Sequence, residues 1–185
     1  MPGRKPYEAF SAFVGPLMDA LSCVARTKFA VSPGGKTEMN KVHALYLTGL
    51  NDSGYVRLAG DQALELRARM FYEIIRDART GYGPFRVTTR GYDYSLRTAD
   101  RCAVVDYHWH PLSNSHVAAP HLHLGEAQLR PDAVLRGKHH LPTGRITFEA
   151  VVKSAIDSGA KPMRADYEER LAETEYRHVL HRSWS

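Results

Sequence analysis

The apolar residues near the start of the chain recur at the spacing of an α-helix. They predict a first helix over residues 7–26, kinked or divided at Pro16, with an apolar stripe of Phe10, Phe13, Val14, Leu17, Leu21 and Val24. Residues 41–47 fit either a strand or a helix, and turn-forming residues follow them. A second stripe predicts a helix over residues 61–79: Leu64, Leu66, Met70, Phe71, Ile74 and Ile75.

The pattern then changes to that of β-strands. β-Branched and aromatic residues predict strands over residues 85–89 and 92–96, and a turn at 98–100 leads to a hairpin partner over 103–110. After a loop rich in serine and asparagine, residues 120–124 have the pattern of one more short strand. The middle of the chain is therefore predicted to form an antiparallel meander.

Two helices are predicted to close the chain. Thr147 can cap a helix over residues 148–157, and Asp166, with a glutamate three residues later, can begin a helix that runs to about residue 181. Helices, then a meander, then helices indicate the α+β class. We predict a single α+β domain over residues 1–185, an antiparallel β-meander packed with N- and C-terminal helices.

The composition is that of one globular domain, because 43% of the 185 residues are hydrophobic and 24% are charged. No apolar run is long enough to cross a membrane, and the first six residues lead into no signal-like apolar stretch. We therefore expect a cytoplasmic protein without a membrane partner. Cys23 and Cys102 are far apart, as expected of reduced core thiols. The net charge of +5 permits a phosphate-bearing partner such as RNA without requiring one.

Histidines are concentrated in one part of the chain: seven of the ten lie between His108 and His140. Two His-x-His pairs account for most of this, His108 with His110 and His121 with His123. Alternate residues of a strand project from the same face, so each pair places two imidazoles side by side. If the two strands are neighbours, four imidazoles share one patch. Imidazole is both the commonest metal ligand and an acid–base group that titrates near pH 7.

Other candidate residues surround these pairs within the histidine-rich region 107–145. The segment from Leu141 to Arg145 contains a turn, a hydroxyl and a guanidinium just before a helix, which is a credible seat for phosphate. The candidate catalytic residues are His108, His110, His121, His123, Arg145 and Tyr107. The candidate substrate-binding residues are His139, His140, Thr143, Tyr92 and Tyr94. Glu126 follows the second pair one or two residues too early for a cupin metal site, and no second cupin motif follows.

Three functions fit these residues. The first is an enzyme or enzyme-like toxin acting on RNA or another phosphate-containing substrate, with two histidines as general base and acid and Arg145 stabilising the charge. The second is a protein in which His108, His110, His121 and His123 hold Zn²⁺ or another divalent ion. Three ligands and an open position would make such a site hydrolytic, and four would make it structural. The third is a non-catalytic module that binds a partner.

A short stretch of the chain resembles the TumE-like toxins of bacterial toxin–antitoxin modules. The resemblance lies in Tyr92-x-Tyr94 on one strand, Tyr107-His108-Trp109 on the next, and Pro120-His121-x-His123 after them. It covers residues 92–123. It implies a toxin-like protein that is regulated by a cognate antitoxin-like partner.

Overall fold

The computed structural model describes residues 3–49, 54–111 and 116–181. Within these ranges the chain forms three α-helices and eight β-strands, which confirms the predicted α+β class. The helices are α1 (Pro6–Leu21), α2 (Phe148–Asp157) and α3 (Tyr167–His181). The strands are β1 (Phe29–Val31), β2 (Val42–Leu47), β3 (Val56–Arg57), β4 (Leu64–Arg76), β5 (Phe85–Thr98), β6 (Ala103–Trp109), β7 (His121–Leu124) and β8 (Leu141–Pro142).

The strands form one antiparallel sheet in the order β1-β2-β4-β5-β6-β7-β8, with β3 paired to β4 beside this path. Sequential strands β4 to β8 lie side by side, as in the predicted meander. Residues 41–47, for which strand and helix were both open, form β2. The turn predicted after them at 51–54 lies largely outside the described residues. No helix in the described part of the chain is long and apolar enough to cross a membrane.

The predicted helix over residues 61–79 is wrong, because this segment forms the long strand β4. Its burial alternates with a period of two, and the buried positions are Leu64, Leu66, Ala68, Met70, Tyr72 and Ile74. Phe71 and Ile75, which completed the helical stripe, belong to the other face of the sheet. The apolar positions fit both the helical period and the strand period of two. Pairing with β5 from Leu64 to Arg76 selects the strand.

The two strands predicted over residues 85–89 and 92–96 are parts of the single strand β5. The register between β4 and β5 shifts at Phe71 and Tyr72, where Arg90 is the extra residue of a bulge. Gly91 follows it, and a Cβ atom there would lie 2.7 Å from the backbone oxygen of Trp109. Glycine thus lets β5 and the end of β6 approach closely at the bulge.

The helices form a layer on one face of the sheet. On that face, Tyr72 contacts Phe13 of α1 with ring centroids 5.2 Å apart, and Tyr94 contacts Phe148 of α2 at 5.9 Å. Helix α3 packs on α1 and α2. The first helix continues through Pro16 but ends at Leu21 rather than at residue 26. The N-terminus of α2 is capped as predicted, since the Thr147 hydroxyl accepts a hydrogen bond from the backbone N–H of Ala150 at 3.1 Å.

Candidate metal centre

The two His-x-His pairs lie on neighbouring strands and meet. Strands β6 and β7 are paired with His108 directly opposite His121 and Asp106 opposite His123. Directly opposed residues of an antiparallel pair project to the same face, so Asp106, His108, His121 and His123 share one surface. This surface, the polar face, lies on the other side of the sheet from the helix layer. The condition that the sequence left open, whether the two pairs converge, is met.

Five imidazole rings form a continuous cluster on the polar face. The ring centroids of His121 and His123 are 5.2 Å apart, and that of His108 is 5.6 Å from the first and 5.4 Å from the second. His110 extends the cluster, because its Nε2 lies 3.4 Å from Nδ1 of His108. His140 completes it from the loop before β8, with its centroid 4.8 Å from His121 and 4.5 Å from His123.

Backbone carbonyls orient two of these rings. The Nδ1 atom of His121 lies 2.8 Å from the oxygen of Ala119, and Nδ1 of His123 lies 3.0 Å from the oxygen of Gly137. A carbonyl oxygen only accepts hydrogen bonds, so each Nδ1 carries the proton and donates it. The Nε2 lone pair of both rings is then available. Metal-bound histidines are commonly held in this manner by a hydrogen bond from the other ring nitrogen.

Three ring nitrogens, one each from His121, His123 and His140, lie within 4.8 Å of one another. His121 is buried, His123 is half-buried and His140 is exposed, so the group opens to solvent on the side of His140. His139 differs from its neighbour: it is exposed, and its Nδ1 accepts a hydrogen bond from the backbone N–H of Arg136 at 3.2 Å. The adjacent histidines are therefore not equivalent.

Two imidazoles of the cluster, those of His108 and His140, favour the neutral form. Burial lowers the pKa of His108 from its ordinary value, and the carboxylates of Asp93 and Asp106 offset part of that effect. Partial desolvation and the neighbouring His123 and His121 rings lower the pKa of His140. Neutral imidazole is the form that donates a lone pair to a metal ion.

A polar network adjoins the cluster on the same face. Asp93 of β5 lies opposite His108, and Ser95 lies opposite Asp106. The Ser95 hydroxyl donates a short hydrogen bond to the Asp106 carboxylate, and the Arg67 guanidinium contacts Asp93 at 3.3 Å. The histidines therefore continue into a surface of arginine and carboxylate side chains.

The structure places the three tyrosine candidates away from the histidines, because they belong to the face that the helices cover. Tyr92 and Tyr94 are completely buried and stack on each other with centroids 4.8 Å apart. The Tyr92 hydroxyl accepts a hydrogen bond from the backbone N–H of Ile146 at 2.9 Å. The Tyr107 hydroxyl lies 3.1 Å from Oγ of Ser154 on α2. Their prediction as site residues is corrected, since alternate strand residues face opposite sides.

Arg145 and Thr143 also lie outside the group of converging donors. The Arg145 guanidinium lies 4.1 Å from the ring centroid of Trp109, which is buried on the helix-covered face. Thr143 continues the ladder beyond β8, where its backbone N–H donates to the oxygen of Pro120 at 3.0 Å. The predicted phosphate seat of Thr143 and Arg145 is therefore not formed beside the histidines.

Sequence reasoning missed the role of Glu126. Its Oε2 accepts a hydrogen bond from the backbone N–H of Gly137 at 2.5 Å, and the carbonyl of Gly137 orients His123. The carboxylate thereby fastens the loop that continues to His140. The glutamate shortly after His-x-His is the available signal in the sequence, although its spacing does not fit a cupin.

Comparison with protein-family models, curated proteins and solved structures gives no match for this chain. The resemblance to TumE-like toxins thus stays a prediction.

Proposed function

We propose that this protein binds a divalent metal ion of the zinc class through His121, His123 and His140, and that the centre is hydrolytic. The supporting observation is the convergence of three ring nitrogens within 4.8 Å of one another. Three imidazoles with an open fourth position are typical of catalytic zinc sites, whereas structural zinc sites use four protein ligands. The exposed side of the group, next to His140, leaves room for a water molecule or a substrate.

The donor set fits such an ion in both chemistry and geometry. Nitrogen ligands from imidazole suit zinc, copper, nickel and iron better than magnesium or calcium. Ligands at about 2.0–2.1 Å in a tetrahedron are about 3.3 Å apart, so binding draws the three nitrogens closer together than they lie here. His121 and His123 are fixed by their carbonyl partners, and the exposed His140 makes the adjustment.

Two further histidines are positioned to assist hydrolysis. His108 adjoins both His121 and His123, and His110 contacts His108. A metal-bound water has a pKa near 7, and a neighbouring neutral imidazole can accept its proton. We assign His108 and His110 to this acid–base role rather than to the metal, which divides the four histidines originally grouped together.

The metal-free alternative is favoured less by the geometry. It requires a cation to stabilise the charge that develops on phosphorus, and the sequence assigned this role to Arg145. That guanidinium lies over Trp109 on the other face of the sheet. A metal ion at the three imidazoles supplies positive charge at the cluster itself. The same imidazoles without metal remain the second candidate, because the contact between His108 and His110 suits proton transfer.

The deciding experiment measures metal content and metal affinity together. Untagged protein is dialysed without chelator for elemental analysis, and chelator-stripped protein is titrated with Zn²⁺ by calorimetry. We expect about one equivalent per chain, lost in His121→Ala and His123→Ala. His139→Ala is the matched control, since it removes an adjacent imidazole outside the cluster and keeps the metal. Absence of bound metal, or equal zinc affinity in all variants, would refute the metal site and leave the acid–base alternative.

A further inference from the structure

We propose that the polar face beside the metal centre binds a single-stranded nucleic acid, with one nucleotide in a cleft between β2, β4 and β5 and a phosphodiester further along the strand at the histidines. The identification of that phosphodiester as the hydrolysed group rests on the proposed function. Binding of the strand itself does not, because it depends on residues outside the metal ligands.

Strand register places the cleft and the histidines in one straight row. Tyr46 of β2 lies opposite Arg69 of β4, and Arg69 lies opposite Asp93 of β5. Asp93 lies opposite His108, and His108 lies opposite His121. All five side chains therefore project from the polar face along a line that crosses the sheet. A ligand lying across the strands meets the cleft first and the histidines next.

The cleft has a volume of about 280 Å³ and combines charged and apolar walls. Tyr46, Arg67, Arg69 and Asp93 are among the residues that line it. Guanidinium groups bind phosphate oxygens with paired hydrogen bonds, and tyrosine rings offer a surface on which a base can stack. The lining thus supplies partners for both parts of a nucleotide.

Arg69 places a positive charge at the cleft. Three neighbouring arginines of the polar face are paired with carboxylates: Arg67 with Asp93, Arg90 with Glu73, and Arg97 with Glu65. Arg69 is exposed, and no carboxylate within residues 3–49, 54–111 or 116–181 forms an ion pair with it. Its guanidinium lies 5.0 Å from the ring centroid of Phe71. A guanidinium beside an aromatic ring is complementary to a phosphate that carries a base.

Aromatic rings that are exposed or half-buried flank this charge. Tyr46 is 40% exposed although it lies within a strand, and Phe71 is half-buried on the same face. Tyr55 is placed between two guanidiniums, with Arg97 3.5 Å and Arg67 5.2 Å from its ring centroid. Aromatic and arginine side chains on an open sheet surface are the combination by which proteins bind unpaired bases and their phosphates.

The length of the row favours a strand over a free nucleotide. Arg69 and His121 are separated by three strand spacings of about 4.8 Å, or about 14 Å. A single phosphate group cannot contact both ends of this row. An extended strand of three nucleotides can, with one phosphate at Arg69 and a phosphodiester further along the strand at the histidines. A duplex would not expose its bases to Tyr46 and Phe71.

The test measures binding of a fluorescently labelled hexamer of uridylate by anisotropy, with EDTA present so that metal plays no part. Arg69→Ala is expected to weaken binding about tenfold and to reduce the dependence of log K on log salt by about 0.7, as for one lost phosphate contact. Tyr46→Ala is expected to weaken binding at least fivefold through lost stacking. The matched control is Arg177→Ala on α3, which removes the same charge from the helix layer and leaves binding unchanged.

Unlabelled competitors identify the ligand. Displacement by a single-stranded RNA or DNA hexamer supports the proposal. The hexamer that competes more strongly shows whether the ligand is RNA or DNA. Uridine monophosphate that competes as well as the hexamer overturns the strand assignment, and a duplex that does so overturns the role of the exposed rings. If Arg177→Ala weakens hexamer binding as much as Arg69→Ala does, the binding is general attraction of RNA to a basic protein, and the proposal is overturned.

The two proposals fail independently. Metal content of Arg69→Ala is expected to equal that of the wild type, because Arg69 is three strands away from the nearest metal ligand in the sheet. Loss of zinc affinity in the His123→Ala variant, with no binding of the hexamer by any form, overturns the nucleic-acid surface and leaves the metal centre. If the protein holds no metal but binds the hexamer in a manner sensitive to Arg69, the metal centre is overturned and the nucleic-acid surface stands.

Discussion

The two faces of the central strands carry different chemistry on the same backbone. Strand β5 presents Tyr92 and Tyr94 to the helix layer, where both are fully buried, and Asp93 between them to the polar face. Strand β6 likewise buries Trp109 against the core while His108 joins the imidazole cluster. Burial of apolar area on one face stabilises the fold, and ionisable groups remain near solvent on the other. Stability and chemistry can therefore be changed separately.

The largest difference between the faces is expected for phenylalanine truncation. Phe148 is fully buried under the sheet, in ring contact with Tyr94 and Phe29, so Phe148→Ala should lower the free energy of unfolding by about 3–5 kcal/mol. Phe71→Ala makes the same change on the polar face, where the ring is half-buried, and should cost less than about half of that. Urea denaturation measures both. Equal costs would show that the polar face is also part of the core.

How far the sequence predicts this division depends on the range of the interactions involved. Alternation within strands was sufficient to predict that His108 and His110 share a face, as do His121 and His123. It was not sufficient for Tyr92 and Tyr94, because their face relative to the histidines depends on the register between β5 and β6. The sequence allows alternate residues of β5 to lie on either face of the sheet, and only the pairing with β6 selects the face.

A second comparison removes one tyrosine hydroxyl from the buried face. Tyr92→Phe leaves the N–H of Ile146 without its partner and should lower the free energy of unfolding by about 1–3 kcal/mol. Metal content should be unchanged, since the ring is on the opposite side of the sheet from the histidines. Tyr176→Phe on the exposed side of α3 is the control and should have no measurable effect. A loss of metal in Tyr92→Phe would return this residue to the site.

Loop contacts were beyond sequence prediction for a different reason. His140 and His139 are adjacent, exposed and similar in sequence context, yet only His140 converges with the other donors. Glu126 accepts a hydrogen bond from Gly137 in the segment that leads to both histidines. A periodic pattern identifies residues within strands and helices, whereas a hydrogen bond between residues eleven apart in a loop has no period.

This contact gives a prediction confined to the polar side. Glu126→Ala should release Gly137, loosen the orientation of His123 and weaken zinc binding about tenfold, as for other supporting partners of metal ligands. The thermal unfolding midpoint of the metal-free protein should change little, because Glu126 is exposed. Calorimetric titration gives the affinity. Glu126→Gln keeps an oxygen acceptor for the Gly137 N–H and should retain most of the affinity, whereas equal loss in both variants would indicate a role for the charge.

The smallest expected effect tests whether the helix layer is independent of the metal centre. Thr147→Ala removes the cap of α2, where the hydroxyl accepts from Ala150 N–H and donates to Glu175 of α3 at 2.7 Å. The loss should be about 1 kcal/mol of unfolding free energy, measured in urea. Thr147→Ser retains both hydrogen bonds and should restore nearly all of it. Zinc affinity should be the same in all three proteins, because α2 contacts the helix-covered face. A Thr147→Ala protein that binds zinc more weakly would show that the helix layer positions the histidines through the sheet, and the separation of the two faces would then be incomplete.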